Sequence, residues 1–138
     1  MNYIGSTSLR NIVSETSDAP NSLSTSYSIS VGDTFSGSIG YRGDRDAVRI
    51  TLEQGFTYQF DLKGSRSGSG TLYDPYLRLY DSNGSLVSYN DDDGAGYESR
   101  ISFTASNTGR YYLVAGAYSD NYSGTYQLST SQAVSTVR

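Results

Sequence analysis

The sequence predicts an all-β protein, an antiparallel β-sandwich of jelly-roll-like type with about eight or nine strands. Three observations predict it. Short runs of alternating apolar and polar residues recur along the chain, each closed by a Gly, Asn or Asp turn. The 138 residues include 14 tyrosines and 15 glycines, with abundant Ser and Thr, a composition of strands and turns. No segment carries a convincing helical period.

The elements follow in order. Residues 1–23 are polar and without sustained period, so they read as a linker or N-terminal extension with one helical turn around Ser8–Val13. The sandwich spans 24–131. Its first strand is Ser24–Val31, closed by Gly32-Asp33, and Thr34–Ile39 is the second. Asp46–Glu53 alternates, with Val48, Ile50 and Leu52 on one face. After the Gln54-Gly55 turn, Phe56, Tyr58, Phe60 and Leu62 share a face of the next strand. Leu72–Tyr80 offers Tyr73, Leu77 and Leu79 to the core. Asp81-Ser82-Asn83-Gly84 is a hairpin turn leading to Ser85–Tyr89. Ser99–Ala105, Arg110–Tyr118 and Gly124–Ser131 complete the set, and 132–138 is a C-terminal tail.

At 138 residues the chain fits one domain with a core of its own. It contains no Cys and no His. Disulfides, thiolate sites and Ser-His-Asp or Cys-His catalysis are therefore unavailable within it. A bound metal would have to accept oxygen ligands, which favours calcium. The net charge of −4, with Lys63 as the single lysine, argues against nucleic acid as a partner. No apolar stretch approaches the ~20 residues of a membrane span. Met1-Asn2-Tyr3 does not resemble a signal peptide, and the segment reads as a domain taken from inside a longer chain.

Acids crowd one loop. Asn90, Asp91, Asp92 and Asp93, with Glu98 beyond, supply carboxylate and amide oxygens of the kind calcium takes. Gly94 and Gly96 would let the backbone turn its carbonyls inward. The alternative is a solvated turn, since Asp and Asn are good turn formers. Asp74, before Pro75, either holds its own turn or joins this site.

The tyrosines divide. Tyr58, Tyr73, Tyr112 and Tyr126 fit core or sheet-face packing. Tyr76, Tyr80, Tyr89, Tyr97, Tyr118 and Tyr122 fall near turns or on the opposite face. Of these, Tyr76, Tyr118 and Tyr122 are candidates for binding a sugar or an extended peptide; the other reading is strand propensity and rim packing.

Four segments carry a family resemblance: Gly43-Asp44-Arg45-Asp46, the run from Asp74-Pro75-Tyr76 to Asn83-Gly84, Asn90-Asp91-Asp92, and Gly109-Arg110-Tyr111-Tyr112-Leu113-Val114. The closing Gly124-Thr125-Tyr126-Gln127-Leu128 adds to them. In this order the chain resembles the bacterial pre-peptidase C-terminal domain, over about residues 14–131. The collagen-binding domains of clostridial collagenases are similar, more distantly. The resemblance implies a β-sandwich beside a secreted protease, or within a large RTX-type calcium-binding repeat protein or adhesin.

The resemblance also implies a second calcium position. In the collagen-binding relatives, calcium joins linker acids to carboxylates just before the strand that here begins at Asp46. Asp46 matches. Gly43 stands where the pattern expects another acid, with Asp44 adjacent, and Glu15 and Asp18 are the linker acids. The alternative is that Asp46 holds a neighbouring turn. The expected function is a non-catalytic, calcium-binding accessory module and stabilising spacer of a larger secreted or surface-exposed bacterial protein, monomeric and in contact with its parent's neighbouring domains. The alternatives are a protein- or carbohydrate-binding module that uses the exposed tyrosines, and last a glycosidase-type enzyme.

Overall fold

The computed structural model describes residues 11–90 and 98–133. Among these residues ten strands form two five-stranded sheets. They are β1 (Ile12–Ser14), β2 (Ser28–Ile29), β3 (Thr34–Ile39), β4 (Asp46–Leu52), β5 (Thr57–Lys63), β6 (Pro75–Tyr80), β7 (Leu86–Asn90), β8 (Ser99–Thr104), β9 (Gly109–Ala117) and β10 (Gly124–Gln132). Sheet A has the order β1-β3-β10-β5-β8 and sheet B the order β2-β4-β9-β6-β7. The chain changes sheet at every connection except the β6–β7 hairpin. The fold is the expected β-sandwich. Among the described residues the only helical element is a single 3-10 turn, Tyr118–Asp120, and no helix is long and apolar enough to cross a membrane.

The period-two strands place every second side chain in the space between the sheets. Phe35, Phe60, Leu62 and Leu128 from sheet A meet Val48, Ile50, Leu77, Leu79 and Leu113 from sheet B, all buried. Each such side chain contributes about 1.5–3 kcal/mol by leaving water.

Four expectations are corrected. The sandwich has ten strands, because β1 lies in the segment read as linker. Ile12 and Val13, read as part of a helical turn, pair in parallel with Thr34 and Phe35. The sheets are mixed, not purely antiparallel: β2 also pairs in parallel, with β4, and spans only two residues of the run read as Ser24–Val31. Phe56 does not join the core face of β5. It closes a turn through Phe56 N–H to the Glu53 carbonyl and is 40% exposed. Tyr73 is equally exposed, while Leu72 is fully buried. Leu72 N–H bonds to the Thr125 carbonyl, and Asp74 then takes a positive φ of 56°, which turns Tyr73 outward.

The segment from Asn11 to Ile29 is a strap. It begins in sheet A as β1, bonds the Pro20 carbonyl to Ala47 N–H on the edge of β4, and ends in sheet B as β2. Between these ends lie Glu15 and Asp18.

Candidate metal centre

Glu15 of the strap is placed by backbone contacts. The Glu15 N–H extends the β1–β3 ladder to the Ser36 carbonyl. Its Oε1 accepts from Ser38 N–H at 2.8 Å and its Oε2 from Ala19 N–H at 2.7 Å. The next turn closes on Tyr27. Its hydroxyl accepts N–H bonds from Thr16 and Ser17, both at 2.9 Å, and donates to the Ser17 carbonyl at 2.8 Å. That clasp sets the backbone between Glu15 and Asp18.

The facing acids come from the entry to β4. Asp44 N–H bonds to the Tyr41 carbonyl, and Gly43 sits inside this turn at φ 90°. A side chain is strained at that angle, which accounts for glycine where the family pattern expects an acid. Asp44 is buried, and its Oδ2 accepts from Gly40 N–H at 2.9 Å. Asp46 points into the space between the sheets and is fully buried. Its Oδ2 accepts from the Tyr126 hydroxyl at 2.7 Å, while its Oδ1 is buried without a hydrogen bond.

Glu15, Asp18 and Asp46 each offer a carboxylate oxygen within 4.8 Å of the others. Loss of solvent pushes the Asp46 carboxyl up to about 9; the Tyr126 hydrogen bond opposes this, and the charges of Glu15, Asp44 and Asp18 add to it. Burial likewise raises Asp44, against the Gly40 hydrogen bond and with Asp18 and Glu15 adding to the rise. Four carboxyl groups thus converge, and the charges acting on Asp46 are all negative.

The donor set fits calcium. A cation that holds oxygens at about 2.4 Å places opposite ligands about 5 Å apart, in keeping with the 4.8 Å grouping. The orphaned Oδ1 of Asp46 lacks the partner that a buried polar atom requires.

Asp91, Asp92 and Asp93 lie outside the described residues. Asn90 ends β7, where its carbonyl accepts from the Ser99 hydroxyl at 2.9 Å. Glu98 is buried, and its two oxygens accept N–H bonds from Gly64 and Ser67, both at 2.7 Å. It braces the 64–69 loop, a role that no local sequence signal announces. Asp74 is buried at the turn into β6, its carbonyl accepting from Tyr118 N–H. Tyr76 is half-buried in β6, and Tyr118, in the turn after β9, is exposed. Tyr122 instead packs edge-on against Tyr73, 5.0 Å between ring centres.

A model of the bacterial pre-peptidase C-terminal domain family matches residues 44–117, just over half of the chain. Among solved structures, the pre-peptidase C-terminal domain of a Bacillus anthracis collagenase superposes with a TM-score of 0.59 at 19% identity, covering 75% of this chain and 92% of that domain. CorA of Methylomicrobium album, a surface-associated copper-binding protein, superposes with the same TM-score at 11% identity, covering 77% of this chain and 98% of its own. At these identities the likeness is one of fold. No curated protein matches in sequence.

Proposed function

The chain belongs to the bacterial pre-peptidase C-terminal domain family, and we propose that it is a calcium-clamped accessory module of a larger secreted or surface-exposed bacterial protein. One observation carries the reading: Asp46, fully buried with an unpartnered oxygen, lies within a 4.8 Å grouping with Glu15 and Asp18. Glu15, Asp18, Asp44 and Asp46 would hold the cation. Bound there, calcium supplies the positive charge that this cluster lacks.

The consequence is mechanical. Glu15 and Asp18 belong to the strap, Asp44 and Asp46 to the sandwich. Holding them together fixes the segment that leads into the domain and gives the parent protein a rigid junction. Calcium that binds the folded form alone adds about 2.7 kcal/mol of stability at a hundredfold excess over Kd. The proposed role includes no reaction. With no His and no Cys, the commonest general base and the thiol nucleophile are missing. Copper, named for the Methylomicrobium protein, usually draws on nitrogen and sulfur donors that are scarce here.

Isothermal titration calorimetry of the whole chain tests this. Calcium should give one binding event, lost in Glu15→Gln/Asp18→Asn and retained in Asp91→Asn/Asp92→Asn. The reverse pattern would move the site to the 90–98 loop. A wild type that takes copper and not calcium would replace the metal, and one that takes neither would remove it.

A further inference from the structure

The outer face of sheet B carries a second feature, unrelated to the acidic cluster. Tyr76 and Arg78 lie on the outward face of β6. Arg78 pairs across the sheet with Val114 of β9 and Tyr89 of β7, and Tyr76 pairs with Gly116. Gly116 has no side chain to fill its place. Arg45 and Arg78 fill it from two sides: a Cβ on Gly116 would lie 3.3 Å from Arg45 Cγ and 3.9 Å from Arg78 Nη1.

The two arginines differ. Arg45 is neutralised by a two-pronged pair with Asp120, 2.9 Å from Nε and 2.8 Å from Nη2. Asp120 reaches it from a turn in which Ser119 and Asp120 both hold positive φ, 53° and 56°, a conformation that costs non-glycine residues about 1 kcal/mol or more each. The same turn presents Tyr118, 46% exposed. Arg78 has no carboxylate within ion-pair distance among the described residues. Its guanidinium lies 4.2 Å from the centre of the Tyr76 ring, and Nη1 is buried without a hydrogen bond. Tyr76 stacks within 14° of parallel on Tyr89, centres 6.1 Å apart, and Tyr89 is 60% exposed.

We propose that this face binds a carboxylated polysaccharide, with a uronate carboxylate at Arg78 and sugar rings against Tyr89, Tyr76 and Tyr118. A guanidinium outside any ion pair among the described residues, pre-oriented by stacking and sharing only the field of Asp120, is suited to a planar carboxylate. Exposed tyrosines give rigid apolar area with a polar tip, which suits the faces of sugar rings. The backbone groups of β6 and β9 are consumed in the sheet, so an extended peptide laid on this face would find no ladder to join. A saccharide needs only rings and charges. On a chain of net charge −4, the charge of Arg78 is too little for a polyphosphate.

The test is calorimetry of the whole chain with hexagalacturonate, maltohexaose and hexaglutamate as probes. Hexagalacturonate should bind, more weakly as salt rises, and maltohexaose and hexaglutamate should not. Arg78→Gln and, on the exposed edge strand, Tyr89→Ser should each weaken binding about tenfold or more. The second variant serves if the first does not fold. Affinity should be unchanged in excess chelator. No binding by the wild type overturns the proposal, as does undiminished binding in both face variants. Equal binding of hexaglutamate would reduce the site to a charge effect, and equal binding of maltohexaose would remove the anion; both outcomes overturn it. Loss of binding in chelator would put the saccharide on a bound cation, which also overturns it.

Discussion

The Tyr126 hydroxyl donates to Asp46 Oδ2 at 2.7 Å across the space between the two sheets. Tyr126 belongs to sheet A and Asp46 to sheet B, so this bond ties the sheets together at the acidic cluster. Tyr126→Phe keeps the ring and removes the only donor to the Asp46 carboxyl among the described residues. A buried acceptor left without its partner costs about 1–3 kcal/mol. Denaturant unfolding in chelator should show a loss of that size. An unchanged midpoint would mean that the bond contributes nothing.

Gly37 gives Tyr126 its place. A Cβ there would fall 2.5 Å from the Tyr126 hydroxyl oxygen and 2.7 Å from Cζ. Gly37→Ala must therefore push the ring off Asp46. The expected cost is about 1–3 kcal/mol, as for overpacked cores, with weaker calcium binding as well. A variant as stable as wild type would show that the ring can shift freely.

The pH dependence follows from Asp46. Loss of solvent, with Glu15, Asp44 and Asp18 adding their charge against the Tyr126 bond, raises its carboxyl from 3.8 to about 9. The folded chain then keeps a proton that the unfolded chain loses near 3.8. This group's contribution to metal-free stability is full below that pH and is lost as pH rises toward about 9. Calcium must displace the proton, so its affinity should rise with pH, by up to about tenfold per unit while one proton is released. Melting in chelator and calcium titration between pH 5 and about 9 read both effects. Asp46→Asn should flatten the metal-free slope and abolish the calcium response. A wild-type slope of opposite sign would show that Asp46 is ionised in the metal-free fold.

Tyr27 positions the strap. Its hydroxyl receives two N–H bonds between Glu15 and Asp18, and its ring packs edge-on against Phe35 at 5.4 Å. Tyr27→Phe leaves the ring and opens the clasp. Calcium affinity should fall several-fold while metal-free stability changes by about 1 kcal/mol or less, since exposed N–H groups regain water. Unchanged affinity would place the strap's order elsewhere.

Much of the sandwich is legible in the sequence because period-two burial is a local property. Val48, Ile50 and Leu52 alternate on the page and sit side by side in the core. β1 and β2 are not legible. They are three and two residues long and exist because β3 and β4 offer edges, a tertiary cause. Asp46 and the strap acids are visible through the family pattern, but their convergence is not, since Glu15 and Asp46 are joined by the path of the strap. Glu98 reads as a loop ligand because it follows three aspartates closely in sequence. Its actual hydrogen bonds run to Gly64 and Ser67, more than thirty residues away. Leu72 and Tyr73 compete for one core position, and the positive φ at Asp74 decides it.

The central claim is that one calcium ion joins the strap to the sandwich. The most direct measurement is a long-wavelength anomalous difference map from a calcium-soaked crystal of the chain. It should show a peak held by carboxylate oxygens of Glu15, Asp18 and Asp46, with Asp44 beside it. A peak confined to Asn90–Asp93, or none at saturating calcium, would contradict the claim.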